Sequence, residues 1–170
     1  LLSSAGHPQN LPILPVLAAM SICYTLGEGL GRLGCISFGC CYGKPLSAMP
    51  PGLRRCFRHW HFIFLGKTRK ISYADRLDGV QVVPIQAITA VLYCLTGLIS
   101  LYLYLKGFFT LAFLLSLGVT QLWRFASEFL RADYRGRGRI SAYQYMSLGA
   151  VAYGLVVALG LSTTTPPAVT

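Results

Sequence analysis

Residues 82–105 read VVPIQAITAVLYCLTGLISLYLYL, a stretch without a single charged side chain. About 20 consecutive apolar residues suffice for a helix to cross the hydrocarbon of a bilayer, so this stretch predicts a transmembrane helix. Similar apolar blocks lie on either side of it, at about 11–33, 108–130 and 143–161. The pattern predicts an all-α integral membrane protein with about four transmembrane helices, and residues 1–170 as a single membrane domain.

The composition of the whole chain agrees with this class. Of the 170 residues, 54% are hydrophobic and only 12% are charged, fewer charges than a soluble domain of this size needs on its surface. The formal net charge is +10, and the cations lie in loops beside apolar spans, not on a soluble module. This placement favours anionic lipid head groups as partners and argues against nucleic acid.

A long basic loop, residues 35–81, joins the first two predicted spans. A loop of this length in a compact protein is usually functional or carries a small fold of its own. Within it, residues 57–65 read FRHWHFIFL. Aromatic and apolar side chains flanked by cations are typical of a segment lying in the membrane interface, although a hydrophobic turn packing under the loop explains them equally well.

Ionisable residues gather at the loop-side ends of the predicted spans. Glu28 and Arg32 are four residues apart, Arg124 and Glu128 are also four apart, and Arg131 follows three further on. Four spans place all of these positions in the same leaflet. Ionisable groups within spans are costly and are therefore functional candidates, but two ion pairs, each within one helix, could also serve only to help the span ends tolerate charge.

The cluster contains three arginines and two glutamates, so its net charge is positive. Guanidinium groups bind phosphate oxygens in a planar, bidentate manner, and a neighbouring carboxylate could act as a base or orient one. The polar residues stop at one leaflet and do not line a path across the bilayer, which argues against a channel.

Residues 31–43 read GRLGCISFGCCYG at the predicted exit of the first span. Glycines at such a position let backbone amides approach a ligand closely, although helix-ending glycines beside buried thiols would explain this stretch alone. The stretch resembles the signature of the bacterial prolipoprotein diacylglyceryl transferases, G-R-x-G-N-x-x-N-x-E-x-x-G. Its glycine and arginine positions are occupied here by Gly31, Arg32, Gly34 and Gly43.

Two further stretches resemble the same family. Residues 123–133, WRFASEFLRAD, are similar to a late R-x-x-x-E-F-x-R stretch in which Arg124 and Glu128 fall on functional positions. Pro84 and Gln86 match part of an H-P-x-Q-L-Y-E stretch. The resemblance covers about residues 11–160, corresponding to the later four helices of the family.

The chain also departs from the family pattern. The two asparagines and the glutamate of the signature are replaced by Cys35, Phe38 and Cys40. The family's essential His has no counterpart, so the general base is unassigned. Six cysteines are present, but no two of them form a C-x-x-C pair. A zinc site is therefore only weakly supported, and we expect neither a metal nor a cofactor.

The resemblance implies transfer of the diacylglyceryl group of phosphatidylglycerol to the lipobox cysteine of a prolipoprotein, in the bacterial cytoplasmic (inner) membrane. Phosphatidylglycerol or another anionic phospholipid, and the prolipoprotein signal peptide, would be its partners. Arg32, Arg124 and Glu128 would be catalytic, with the arginines on the phosphate and Glu128 holding an arginine or moving a proton. The implied substrate-binding residues are Gly31, Gly34, Gly43, Gln86 and Arg131.

Two other functions remain open at this level. The replaced positions are compatible with a non-catalytic phospholipid-binding homologue, or with a lipid-group transferase that uses a different acceptor.

Two signals disagree about the orientation of the protein in the membrane. The positive-inside rule would place the basic loop in the cytoplasm, whereas the resemblance places the signature at the outer face, and arginines that bind anionic lipid are poor topology signals. We expect the loop at the outer face.

Overall fold

Four long helices make up most of the protein. The computed structural model describes residues 13–132 and 141–164. The long helices are α1 (Ile13–Phe38), α4 (Ile85–Leu105), α5 (Phe109–Ser127) and α6 (Ala142–Thr164). Each of them is long and apolar enough to cross a membrane, so the predicted all-α membrane fold is confirmed. The sequence between the third and fourth predicted spans, residues 131–139, is rich in charged residues. Most of it, and residues 165–170 at the end of the chain, lie outside the described residues.

The loop between α1 and α4 carries a small fold of its own, as its length predicted. It contains two short helices, α2 (Pro51–Phe57) and α3 (Lys70–Asp75), and two short strands, β1 (Phe62–Ile63) and β2 (Gln81–Val82). The strands pair antiparallel. Beneath them lies a separate apolar core that comprises Tyr42, Phe64, Ile71 and Val82. In the segment 57–65, Phe64 is buried in this core, as expected of a hydrophobic turn packing under the loop, whereas Trp60 is exposed.

Helix α1 extends five residues beyond the first predicted span, which ends at about residue 33, and continues to Phe38. Its glycines at 31 and 34 lie inside the helix, and membrane helices tolerate glycine well. The helix ends at Gly39, whose φ is +61°. Cys40 N–H donates to the Cys35 carbonyl (3.1 Å) and Gly39 N–H to the Ile36 carbonyl (3.3 Å), the bond pattern of a Schellman cap.

The four long helices pack through small residues. α1 lies against α4 and α5, and α5 also lies against α6. A Cβ added at Gly29 would lie 3.1 Å from the Tyr93 Cβ, and one at Gly97 would lie 2.4 Å from Leu26 Cδ2. Without side chains at these two positions, the backbones of α1 and α4 approach closely, as is common between helices in membranes.

An extended segment ties the loop to the end of the bundle. Lys44 N–H donates to the Leu130 carbonyl (2.8 Å), and Val83 N–H donates to the Lys44 carbonyl (3.1 Å). Gly43 forms an antiparallel bridge with Arg131. The segment around Gly43 therefore runs between the start of α4 and the end of α5, and it holds the loop over the ends of the helices that carry the polar residues.

Candidate functional site

A cavity of about 190 Å³ lies where the loop meets the polar ends of the four long helices. Each long helix, the turn after α5 and the loop contribute to its wall. The lining residues are Arg32, Cys41, Ile85, Gln86, Thr89, Tyr93, Arg124, Ser127, Glu128, Arg131 and Tyr143. The cavity thus brings together all three predicted catalytic residues and two of the predicted substrate-binding residues, Gln86 and Arg131.

Glu28 joins the two central arginines. Arg32 Nη2 donates to Glu28 Oε1 at 3.2 Å within α1, and Arg124 Nη2 donates to Glu28 Oε2 at 2.8 Å from α5. Arg124 also donates to the Tyr24 hydroxyl at 2.9 Å. The alternative of an ion pair between Arg124 and Glu128 within one helix is not what the structure shows: the ion pair that Arg124 makes in the described part of the chain is with Glu28. The partner of Arg124 is determined by which faces of α1 and α5 pack together, and not by the spacing of residues along α5.

Hydrogen bonds hold the two arginines in place, but these bonds use only some of their N–H donors. Their side chains are only 16% and 33% exposed, so bulk water screens them weakly. A guanidinium carries five N–H donors, and the buried Nε of Arg32 has no hydrogen-bond partner among the described residues. A buried donor left unpaired is costly, and an anion entering the cavity would remove that cost.

Gln86 links the cavity to the end of α1. Its side chain is 1% exposed, and its Nε2 donates to the Cys40 carbonyl at 2.9 Å. Its Oε1 is buried and has no partner within residues 13–132 and 141–164. Gln86 therefore fixes the turn after α1 with one atom and offers an acceptor at the cavity with the other.

The start of α6 closes the remaining side. Ser141 and Gln144 cap each other: Gln144 N–H donates to Ser141 Oγ (3.3 Å) and Ser141 N–H donates to Gln144 Oε1 (2.9 Å). This reciprocal pair is a capping box. Ser141 Oγ also donates to Glu128 Oε2 at 3.4 Å, so the cap places the carboxylate of Glu128 beside the start of α6.

The three predicted substrate-binding glycines have different positions. Gly31 lines a groove of about 440 Å³ on the outer face of α1, together with Gly27, Glu28 and Arg32. Gly34 is exposed and lines neither the groove nor the cavity. Gly43 is buried, and a Cβ there would lie 2.5 Å from the Val83 carbonyl oxygen. Gly43 is thus needed for close packing, and its backbone bridge positions Arg131.

Several residues that line the cavity were not predicted from the sequence, notably Thr89 and Tyr93. Trp123 Nε1 donates to Thr89 Oγ1 (2.8 Å), and the Tyr93 hydroxyl donates to the Thr120 carbonyl (2.9 Å). Thr89 and Tyr93 follow Gln86 by three and seven residues, so they share its helix face. That spacing was the signal that could have identified them.

Other residues outside the helices that could serve as a base or a nucleophile are not well placed. His59 and His61 line a separate apolar groove with Trp60, away from the cavity. Burial, and then the neighbouring Cys35 and Cys41, raise the pKa of the Cys40 thiol to about 12. Because the thiolate is the nucleophilic form, Cys40 is a poor nucleophile at neutral pH. Among the residues that the structure describes, Glu128 is the carboxylate that lines the cavity.

Comparison with known proteins gives one match. The family model described as prolipoprotein diacylglyceryl transferase matches residues 2–159. No curated protein and no solved structure matches the chain. The match includes the signature stretch, the loop and all the residues that line the cavity. The chain is therefore a multi-pass membrane protein that belongs to the prolipoprotein diacylglyceryl transferase family.

Proposed function

We propose that this protein transfers the diacylglyceryl group of phosphatidylglycerol to the lipobox cysteine thiol of a prolipoprotein, in the bacterial inner membrane. The observation that carries the proposal is the pair of arginines from two helices, Arg32 and Arg124, bound to opposite oxygens of Glu28 at the wall of one cavity. Preorganised cations at a site that excludes water stabilise a leaving anion strongly.

The arginines bind the phosphate of the donor lipid. Glu28 orients Arg32 and Arg124 and leaves further N–H donors for phosphate oxygens, while Arg131 adds a third cation to the wall. The cavity is small enough to hold a head group but not acyl chains. The groove along α1 shares Arg32 with the cavity, and it gives the acyl chains a path beside Gly31 towards the lipid.

The reaction then requires one displacement. The thiolate sulfur attacks the glyceryl carbon that bears the phosphate, a C–S bond forms, and the C–O bond to the phosphate breaks. The electron pair of that bond leaves with glycerol phosphate, whose charge Arg32 and Arg124 stabilise. Glu128 receives the proton of the acceptor thiol, since it is the carboxylate at the cavity wall.

The test is a transfer assay with purified protein, phosphatidylglycerol and a lipobox peptide, with mass spectrometry of the peptide. Wild-type protein should produce the thioether. Arg32→Ala and Arg124→Ala should each lower the rate about 100-fold or more, the effect of removing a preorganised donor from an oxyanion site. Arg55→Ala is the control, because Arg55 is exposed on α2 and lines another groove, and it should transfer at the wild-type rate.

Each other result selects a different function. Lipid binding without thioether by the wild-type protein would show a non-catalytic phospholipid-binding homologue, which the replacement of three signature positions by Cys35, Phe38 and Cys40 favours. Consumption of phosphatidylglycerol with an acceptor other than the peptide would show a different lipid-group transferase. Full activity of Arg32→Ala and Arg124→Ala would contradict the phosphate site itself.

A further inference from the structure

Three cysteines meet at the end of α1 although no two of them are spaced as a metal-binding pair. The Sγ atoms of Cys35, Cys40 and Cys41 all lie within 4.8 Å of one another. They occur in the part of the chain where two positions of the family signature are replaced by cysteine. None of the six cysteines of the chain, all of which lie in described residues, forms a disulfide.

The helix cap brings two of these thiols together. In a Schellman cap, a backbone hydrogen bond joins a residue of the last helical turn to the second residue beyond the helix, and the side chains of these two residues are frequently in contact. Those positions are Cys35 and Cys40, whose backbones are joined by the 3.1 Å bond described above. The contact that is usually hydrophobic is here a contact between thiols.

The third thiol reaches the pair through a strained backbone. Cys41 has a φ of +55°, a left-handed conformation that costs energy for a residue with a Cβ. Gln86 holds this turn through its bond to the Cys40 carbonyl. Strain of this kind persists where the surrounding structure enforces it, and it is concentrated at functional sites.

The three sulfurs need only a small movement to become ligands. When Zn²⁺ is bound tetrahedrally with Zn–S bonds of about 2.3 Å, its sulfur ligands lie about 3.8 Å apart. This separation is roughly 1 Å less than the 4.8 Å within which the three Sγ atoms lie here. No His, Asp, Glu or further Cys among the described residues joins the three. Three protein ligands with an open fourth position are typical of catalytic zinc sites, whereas structural sites have four.

The cluster also adjoins the candidate active site. Cys41 lines the cavity that contains Arg32, Arg124 and Glu128. Cys35 lies three residues beyond Arg32, on the same face of α1, and both line the groove. The cluster therefore lies beside a cation, and an ion held by the three sulfurs would lie at the edge of the space in which the acceptor thiol reacts.

We propose that Cys35, Cys40 and Cys41 hold one Zn²⁺ ion whose fourth position binds the acceptor thiol. The second half of this proposal rests on the proposed function. A thiol that coordinates Zn²⁺ is deprotonated, so the site supplies the activation for which the family's His is missing. The S–H bond of the acceptor breaks as its sulfur binds the ion, the proton passes to Glu128, and the sulfur then forms the C–S bond as the C–O bond to the phosphate breaks.

The test uses Co²⁺ as a spectroscopic replacement for Zn²⁺ in the full chain, purified in detergent and first treated with a chelator. Wild-type protein should bind one equivalent of Co²⁺ and show sulfur-to-cobalt charge-transfer absorption, which an equivalent of Zn²⁺ should remove. Cys35→Ser, Cys40→Ser and Cys41→Ser should each lose this absorption. Cys56→Ser and Cys94→Ser are matched controls outside the cluster and should retain it. Size-exclusion chromatography establishes that each variant is folded.

The fourth position is tested on the cobalt-loaded wild-type protein. A lipobox peptide with cysteine should increase the charge-transfer absorption, and the same peptide with serine should leave it unchanged. Absence of stoichiometric binding, binding of Cu⁺ without Co²⁺ or Zn²⁺, or a disulfide between two of the three cysteines in freshly isolated protein would overturn the site. Equal spectra with the two peptides would overturn its role towards the acceptor.

The two proposals fail in different ways. If the chelated protein binds no metal but still transfers the diacylglyceryl group at full rate, the zinc site is wrong and the transferase stands. If the protein binds one Zn²⁺ through the three cysteines but modifies no lipobox peptide, the proposed function is wrong and the metal site stands. Restoration of transfer by Zn²⁺ after chelation supports both.

Discussion

At the scale of single residues, Glu28 has the largest effect on how the charged groups of the site are arranged. The predicted catalytic set contained the arginines but not this carboxylate, which accepts one hydrogen bond from each of them. Two guanidinium groups that approach one another repel unless a negative charge lies between them. Glu28 supplies that charge, and in the proposed function it lets both arginines reach the same phosphate.

Replacing Glu28 by Gln tests this positioning role. An amide has only one oxygen, and its NH₂ group would face an arginine N–H, so one of the two arginines should lose its position. We expect kcat/KM for transfer to fall about 10- to 100-fold, the range expected when a catalytic group is displaced by about 1 Å.

Two further variants of the same cluster sharpen the measurement. Tyr24→Phe removes one bond to Arg124 but keeps the ion pair, and it should lower kcat/KM less than Glu28→Gln does. Glu28→Asp keeps the negative charge and should recover part of the rate. An unchanged rate for Glu28→Gln in protein of wild-type thermal stability would show that the arginines are held by other contacts.

The cysteines at the departures from the family pattern also belong to this scale. Phe38, at the second asparagine position, is 75% exposed, so its side chain takes no part in the cavity. Cys35 and Cys40 instead meet a third thiol. The three replaced positions are therefore not equivalent, and two of them form one cluster.

At the scale of elements, the extended segment around Gly43 decides how the loop sits on the bundle. Its hydrogen bonds reach the start of α4 and the end of α5, which are the elements that carry Gln86 and Arg131. The position of Arg131 therefore depends on a glycine that is far from it in sequence.

Gly43→Ala should destabilise the protein. The added Cβ would lie 2.5 Å from the Val83 carbonyl oxygen and 2.7 Å from the Val83 Cβ, and a backbone atom cannot move aside as the end of a side chain can. We expect the free energy of unfolding in detergent to fall by about 1–3 kcal/mol, the usual cost of overpacking, together with weaker binding of phosphatidylglycerol.

Gly52→Ala is the matched control for this change. A Cβ at Gly52 meets nothing within 4 Å, and alanine is the better residue in helix α2. Its unfolding free energy should equal or slightly exceed that of the wild type. Equal stability of Gly43→Ala and Gly52→Ala would mean that the segment can move away from α4 without cost.

At the scale of the whole molecule, the four spans place every residue of the cavity at one face of the bilayer. The basic loop lies at the same face, and its charge opposes the orientation that the family implies. Several cations at this face have local roles: Arg32 and Arg124, at the ends of α1 and α5, bind Glu28, and Arg69 of the loop lies over the Phe64 ring. Such arginines are weak topology signals.

Labelling of Cys56 measures the orientation. Cys56 is exposed on α2, whereas Cys23, also exposed, lies within the α1 span and is shielded by lipid. A membrane-impermeant maleimide should label Cys56 in spheroplasts, and the label should disappear in Cys56→Ser. Labelling that requires permeabilised cells would place the loop in the cytoplasm and would contradict the proposed site of lipoprotein modification.

Local hydrophobicity was enough to predict the four spans and their common polar face, because the bilayer imposes the length and polarity of each span independently of its neighbours. The family was identified from the resemblance of short motifs at the ends of these spans. Five residues of the cavity wall were identified before any fold was known: Arg32, Gln86, Arg124, Glu128 and Arg131. Boundaries were less predictable, since α1 ends where Gly39 can adopt a positive φ and not where apolar residues run out.

The partners within the site were decided only by the tertiary structure. Arg124 binds the carboxylate of Glu28, 96 positions away, and not that of Glu128, one turn further along the chain. Position 43 must be glycine because a Cβ there would collide with Val83. Three thiols without a metal-binding spacing meet at a helix cap. Each of these contacts depends on which helix faces pack together and how a cap turns the chain, and neither property is a function of local sequence alone.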